Sequence, residues 1–272
     1  MPTRLLAVDL DGTLLTKERV PHPQNVIAVQ KAMAAGIKVV PASGRVAASV
    51  LQFSHALGFD EAMICSNGAH VQGQGGIELL HVELSPEAVQ ITLDYAETAS
   101  VHINAYTRNE LFFIGNSDWG DIYRRRVRAV VPRDASFDEV RQMQLLKIIL
   151  VDQPEAIRKH RTELEKRLRT DVAALTESEP EYLEVLSPYA NKGIGLKVLA
   201  ESLGIDQSET AAIGDYLNDL EMVRWAGIGA AMANAEEEVK AAADIQVGSN
   251  DDAGVSEFID YLIAKNASEV AA

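Results

Sequence analysis

The chain has 272 residues, 47% hydrophobic and 24% charged, with no low-complexity tract or internal repeat, so one large or two medium globular domains are expected. A net charge of −15, made up of 6−6=0 over residues 1–82, 14−19=−5 over 83–187 and 5−15=−10 over 188–272, disfavours nucleic acid and anionic membranes as partners. The single cysteine, Cys65, excludes an intrachain disulfide. The early charges in MPTRLLAVDLDGT argue against a signal peptide, and no apolar run reaches the length of a membrane span. The expectation is a soluble cytoplasmic protein, monomer or homodimer, with disorder confined to the tail after Lys265.

In chain order, Leu5-Leu6-Ala7-Val8 reads as a buried strand ending on Asp9. A helix follows from about Pro23 to Ala35, closed by Gly36, and then a strand at Ile37 to Val40. A second helix, Val46 to Leu57, stops at Gly58 before a strand at Ala62 to Cys65. Short buried strands alternating with helices predict a parallel, doubly wound, Rossmann-like sheet. Between Glu83 and Ser187 the texture changes to polar and apolar alternation, as in Val101 to Tyr106 and Leu111 to Ile114. This predicts half-exposed strands, with more at Leu145 to Val151, Val172 to Thr176 and Tyr182 to Leu186. Helices are expected at Asp118 to Ala129 and Glu155 to Leu168. The doubly wound texture returns with a helix from Asn191 to Leu203 and a strand at Thr210 to Ile213, followed by short units at Gly227 to Met232 and Glu237 to Ala242 and a helix at Gly254 to Ala264. The domain reading is a discontinuous core, 1–82 and 188–272, with an inserted α+β cap, 83–187.

Ligands of open parallel sheets bind beyond the carboxyl ends of the strands, where this chain places Asp9 and Asp11, Ser43-Gly44-Arg45, and Asp215 and Asp219. Two carboxylates in Asp9-Leu10-Asp11-Gly12-Thr13, just after a buried strand, are costly unless a cation or anionic chemistry uses them. A carboxylate can attack phosphorus, and a neighbouring acid can protonate the departing alkoxide. Thr13 offers a hydroxyl to the turn or to a phosphoryl oxygen. The same stretch also suits an Asp/Gly turn with Asp11 as a helix cap. Asp215 and Asp219, four apart, supply the hard oxygen ligands that suit Mg²⁺, or else cap a helix. Ser43, with the backbone N–H groups around Gly44, could take an anion or simply cap a helix. Lys192, at a helix start where a cation is unfavourable, suggests an anion partner or a solvated side chain.

Together these motifs resemble the haloacid dehalogenase superfamily, and more closely its Cof-type branch of sugar-phosphatase-like hydrolases. The likeness extends to Gly227 to Ala235 and Ser249 to Val255. The resemblance implies a Mg²⁺-dependent phosphatase acting on small-molecule, sugar-phosphate-like monoesters through an aspartyl-phosphate. It makes Asp9 the nucleophile and Asp11 the general acid and base. Asp9, Asp215 and the Asp11 carbonyl would hold the metal, with Asp219 directly or through water. Ser43 and Lys192 would bind the phosphoryl group, Asn218 would orient it, and Asn67-Gly68 would contact substrate or phosphoryl. His102, Asn104, Tyr106, Arg108, Arg124 to Arg126, Arg128 and Arg133 of the cap are candidate selectors of substrate, although a solvated helix face explains most of them. Hinges are expected near Val82 to Pro86 and Leu186 to Ala190. A phospho-accepting signalling receiver and a metal-retaining binding protein without turnover remain alternatives.

Overall fold

The structure is a computed structural model that describes residues 1–59, 61–115, 118–126 and 130–270. Its elements run β1 (Leu5–Val8), α1 (Pro23–Ala34), β2 (Lys38–Pro41), α2 (Ala47–Leu57), β3 (Met63–Cys65), β4 (His70–Gln72) and β5 (Glu78–His81). Next come α3 (Pro86–Ala99), β6 (His102–Tyr106), β7 (Leu111–Ile114), α4 (Asp118–Arg126), β8 (Arg133–Asp134), α5 (Phe137–Val140), β9 (Lys147–Val151), α6 (Pro154–Glu165), β10 (Ala174–Glu179) and β11 (Tyr182–Leu186). The chain closes with α7 (Lys192–Ser202), β12 (Thr210–Gly214), α8 (Leu220–Trp225), β13 (Ile228–Met232), α9 (Glu237–Ala242), β14 (Ile245–Val247) and α10 (Gly254–Val270).

The core sheet is parallel, in the order β14-β13-β12-β1-β2. Alternate side chains of β1 feed opposite layers. Leu6 and Val8 pack with Val29 of α1 and Phe258 of α10, and Leu5 and Ala7 with Leu196 of α7 and Met222 of α8. Burial on both faces explains why β1 is wholly apolar. Because β1 lies between β2 and β12, the strand order reverses there, and the crevice beyond its carboxyl end is where such sheets bind ligands.

The strand read at Ala62 to Cys65 belongs to this sheet only through one parallel bridge, Ala42 to Ile64. β3 instead pairs antiparallel with β4, and β4 with β5. A left-handed turn at Ser66 (φ 48°), Asn67 (φ 54°) and Gly68 (φ 87°) reverses the chain within three residues, so the next strand returns alongside β3.

The inserted sheet has the order β10-β11-β9-β6-β7-β8, antiparallel except for β7 with β8. One face (Ile103, Ala105, Ile148, Leu150, Leu183, Val185) packs on α3 and α6. The other carries His102, Asn104, Tyr106, Lys147, Ile149, Tyr182 and Glu184. The predicted half-exposure is incorrect, because β6, β7, β9 and β11 are buried throughout. Their polar alternates face α4 and the crevice instead of water. The tail is likewise helical to Val270, where the Lys265 ammonium donates to Glu269. Among the described residues no helix is long and apolar enough to cross a membrane.

Candidate active site

Asp9 follows β1 directly, its N–H held by the Ile213 carbonyl at 3.1 Å. The chain then turns sharply. Gly12 has φ +81°, and a Cβ there would lie 2.2 Å from Asp215 Oδ2, so both the turn and the approach of the acidic loop require glycine. The Thr13 hydroxyl donates to Asp215 Oδ1 at 2.8 Å. It is fully buried, and this bond ties the turn to the acidic loop.

Asp9, Asp215 and Asp219 each present a carboxylate oxygen within 4.8 Å of the others. The Lys192 ammonium, wholly buried at the start of α7, donates to Asp9 Oδ1 and Asp219 Oδ1, both at 2.5 Å. The Asn191 side chain caps that helix by accepting from Ile194 N at 2.8 Å, which fixes where the lysine emerges. Burial opposes the lysine charge, but Asp219 and Asp9 outweigh it and hold the pKa above its ordinary value. Asp9 is pushed up to about 8 by burial and by Asp219, against the pull of Lys192. Asp215 is raised as well, by burial and then by Asp9 and Asp219.

Were all three carboxylates ionised, one ammonium would leave two negative charges uncompensated; burial and this excess are why Asp9 and Asp215 hold their protons more tightly, and the set fits one divalent cation bound by oxygen ligands. Asp219 is the least available of the three. Its Oδ2 accepts from the backbone N–H groups of Asp215 (3.0 Å) and Tyr216 (3.3 Å), while its Oδ1 holds Lys192. Asn234, which the sequence reading left without a role, donates to the Gly12 carbonyl at 2.9 Å and to Asp215 Oδ2 at 3.4 Å.

The Asp11 carboxylate lies outside that group. Arg45 grips it with Nε to Oδ2 at 2.7 Å and Nη2 to Oδ1 at 2.6 Å, and Arg19 adds a bond to Oδ1 at 3.1 Å. Burial opposes ionisation, yet the two arginines hold its pKa below the ordinary value. As found, the Asp11 carboxylate is ionised with both oxygens taken by arginine, so a proton can be carried there only when Arg45 loosens. Arg19 also donates to Glu179 of β10 at 2.6 Å, a link from this loop to the inserted sheet.

Ser43 is buried beyond β2, and its Oγ accepts from Arg45 N at 3.2 Å. It is not a helix cap, since α2 begins later with Val46 as its N-cap. Gly44 lies against the Asn67 amide and the Lys147 ammonium, where a Cβ would come within 2.9 and 3.3 Å. Asn67 joins three segments: its Nδ2 donates to Glu184 Oε2 at 2.8 Å, and its Oδ1 accepts from Asn218 Nδ2 at 3.1 Å. Gly68, expected with Asn67 to contact substrate or phosphoryl, is packed under the Asn191 backbone, where a Cβ would fall 2.1 Å from the Asn191 carbonyl, and so seats the start of α7.

The cap residues expected to select substrate divide unevenly. Tyr106 lines the crevice together with Asp9, Asp11, Arg45, Lys147, Glu184 and Asn218. Arg108 pairs with Glu78 at 3.1 Å, Arg133 with Glu110 at 2.8 Å, and Arg124 with Asp134. None of these three arginines lines the crevice. His102 bonds the Gly115 carbonyl and Asn104, both at 3.0 Å. Arg128 and the side chains of Arg125 and Arg126 lie outside the described residues. The charged residues that do line the crevice from outside the motif loops, Arg19, Lys147, Glu179 and Glu184, carry no motif signal. For Lys147 and Glu184 the available hint was a charge at an alternate position of an apolar strand.

A doubly wound sheet with an acidic, lysine-clamped strand end beneath an inserted sheet defines a hydrolase of the phosphoryl-transfer type. The profile of the haloacid dehalogenase-like hydrolases matches residues 6–259. The chain is 30% identical to the putative phosphatase YxeH of Bacillus subtilis (strain 168), covering 96% of this chain and 98% of that one. It is 29% identical to the 5-amino-6-(5-phospho-D-ribitylamino)uracil phosphatase YbjI of Escherichia coli (strain K12), covering 98% of each. The solved structure of the subclass IIB sugar phosphatase BT4131 superposes with a TM-score of 0.87 at 25% identity, over 95% of this chain and 98% of that one. The chain belongs to the haloacid dehalogenase-like hydrolase family, in its Cof-type branch. It is a phosphatase, a phosphoric monoester hydrolase, and the signalling-receiver alternative is set aside.

Proposed function

We propose that the chain is a Mg²⁺-dependent phosphatase that hydrolyses phosphate monoesters of small metabolites through an aspartyl-phosphate on Asp9. The observation that carries this reading is the placement of Asp9, at the end of β1, against both Lys192 and the Asp215 and Asp219 carboxylates. Asp9, Asp215 and the Asp11 carbonyl would hold the metal, with Asp219 acting through water and through Lys192. When bound, the cation offsets the repulsion between an anionic nucleophile and an anionic phosphate.

In the first half-reaction an Asp9 oxygen bonds phosphorus while the bond to the ester oxygen breaks, and Asp11 gives that oxygen its proton. In the second, water bonds phosphorus and yields a proton to Asp11, and the Asp9–phosphorus bond breaks to release inorganic phosphate. For either role Arg45 must release the Asp11 carboxylate, whose oxygens are held by arginine and are weakly basic as found. Lys192 would neutralise the phosphoryl oxygens, and the Ser43 hydroxyl with the Gly44 N–H would receive one of them.

The segments 1–82 and 188–272 form the proposed core and 83–187 the proposed cap, with hinges at 82–86 and 186–190. Two of these relatives represent two leaving-group classes, a sugar for BT4131 and a ribitylaminouracil for YbjI. The expected sugar-phosphate-like substrate is one of them.

The test is phosphate release from a panel of esters with Mg²⁺ or with chelator, for wild type and Asp9→Asn. Turnover that requires both the metal and Asp9, with acid-stable label on wild type after quenching, supports the reading. Turnover that persists in Asp9→Asn refutes it.

A further inference from the structure

Beyond the phosphoryl end, the crevice changes character. Its wall is made by Val46, Tyr106, Leu111, Tyr123, Ile149 and Tyr182, drawn from the α2 N-cap, three adjacent strands of the inserted sheet, β11 and α4. Tyr123 and Tyr182 meet edge to face with centroids 5.4 Å apart, and the phenol hydroxyls of Tyr106 and Tyr123 bond each other. The charged groups that share the crevice answer one another. Glu184 takes bonds from Lys147 (2.5 Å), Asn67 (2.8 Å) and Ser178, Glu179 takes one from Arg19 (2.6 Å), and Asp11 takes Arg45 (2.6 Å).

We propose that the ester this cavity selects carries its phosphate on an alcohol bearing an aromatic or heteroaromatic ring, in preference to a polyhydroxylated sugar. The inference rests on the hydrolytic reading of the same site and deepens it. A flat ring within one or two bonds of the phosphate gains buried area against Leu111, Ile149 and Val46 and a face or edge contact with the tyrosines. A sugar entering the same space buries several hydroxyls where most polar partners are already bonded to each other, and a hydroxyl left without a partner loses its bonds to water. Apolar pockets reject an added hydroxyl only modestly, so the expected preference is about ten- to a hundredfold in kcat/KM.

The experiment compares primary phosphate esters of similar intrinsic reactivity on the full chain with saturating Mg²⁺. Benzyl phosphate and pyridoxine 5′-phosphate are set against glucose 6-phosphate and ribose 5-phosphate, for wild type and Tyr182→Leu. The expected result is a kcat/KM for the ring esters at least about tenfold above the sugar esters. Tyr182→Leu narrows that gap by lowering the ring esters alone. Sugar esters turned over as well as or better than ring esters by wild type overturn the inference while leaving the phosphatase reading intact, and this comparison needs no variant. An equal loss on both classes in Tyr182→Leu also overturns it, because it marks the tyrosine as structural. No turnover of any of the four esters overturns the phosphatase reading and the inference together.

Discussion

Glu184→Gln tests how the inserted sheet is joined to the core. The Glu184 and Lys147 side chains are each 1% exposed, and their charges meet at 2.5 Å. The same Glu184 oxygen accepts from Asn67 of the core at 2.8 Å, so one carboxylate spans both sheets. The amide keeps the volume and removes the charge opposite Lys147. Burial already lowers the Lys147 pKa against the pull of Glu184, so an unpaired Lys147 sheds its proton, and this limits the damage. Breaking a buried pair costs about 3–5 kcal/mol, and the lower end applies here. That is a fall of roughly 6–12 °C in Tm for a chain of this size. Lys147→Met, which strands the carboxylate, carries a similar cost. The double variant Lys147→Met/Glu184→Gln recovers part of it, with a coupling of about 2 kcal/mol. Urea unfolding of the full chain, read at constant slope, measures all three. Single variants that each cost under about 1 kcal/mol and add in the double would refute the buried-pair reasoning.

Three further outcomes follow from the geometry. Gly68→Ala meets the Asn191 carbonyl at 2.1 Å with φ at +87°, so it shifts α7 and its lysine; a loss of about 2–4 kcal/mol in urea unfolding is expected, and a neutral variant would contradict the packing. Without metal, the folded chain keeps a proton on Asp9 up to about pH 8 that the unfolded chain has released above about pH 4, so this group's contribution to stability falls as pH rises through that window and levels off beyond it. Melting temperatures from pH 5 to 8 in chelator should therefore decline, and saturating Mg²⁺ should raise them most at the alkaline end; a cation-independent profile would count against the acidic group as its site. Asp11→Asn keeps an oxygen for Arg45 but can neither give a proton to the leaving oxygen nor take one from water, so turnover should fall about 10²- to 10⁴-fold in steady-state phosphate release. Unchanged turnover would exclude Asp11 as the base.

The ends of the strands were legible in the linear sequence because parallel strands buried on both faces read as short apolar runs, and the residues after them form the site by topology alone. Asp9, Ser43 and Asp215 could be placed in this way, along with the doubly wound core and the insertion, whereas Lys192 was singled out by its place at a helix start. Local order did not reveal how the third run would pair. Whether β3 extended the sheet or turned back depended on the left-handed turn at Ser66 to Gly68, which no apolar pattern signals. Alternation in the inserted strands correctly indicated two unlike faces, but period two cannot say what covers the polar one. Tertiary structure placed that face over the crevice, converting His102, Lys147 and Glu184 from apparent solvent contacts into buried groups. It also brought Arg19 and Arg45 onto Asp11, 8 and 34 residues away in sequence, and so decided which carboxylates face a cation and which is held by arginine. Sequence by itself determined which functional groups the strand ends carry. Their charge states and partners arise from burial and from contacts between distant segments, which only the folded chain possesses.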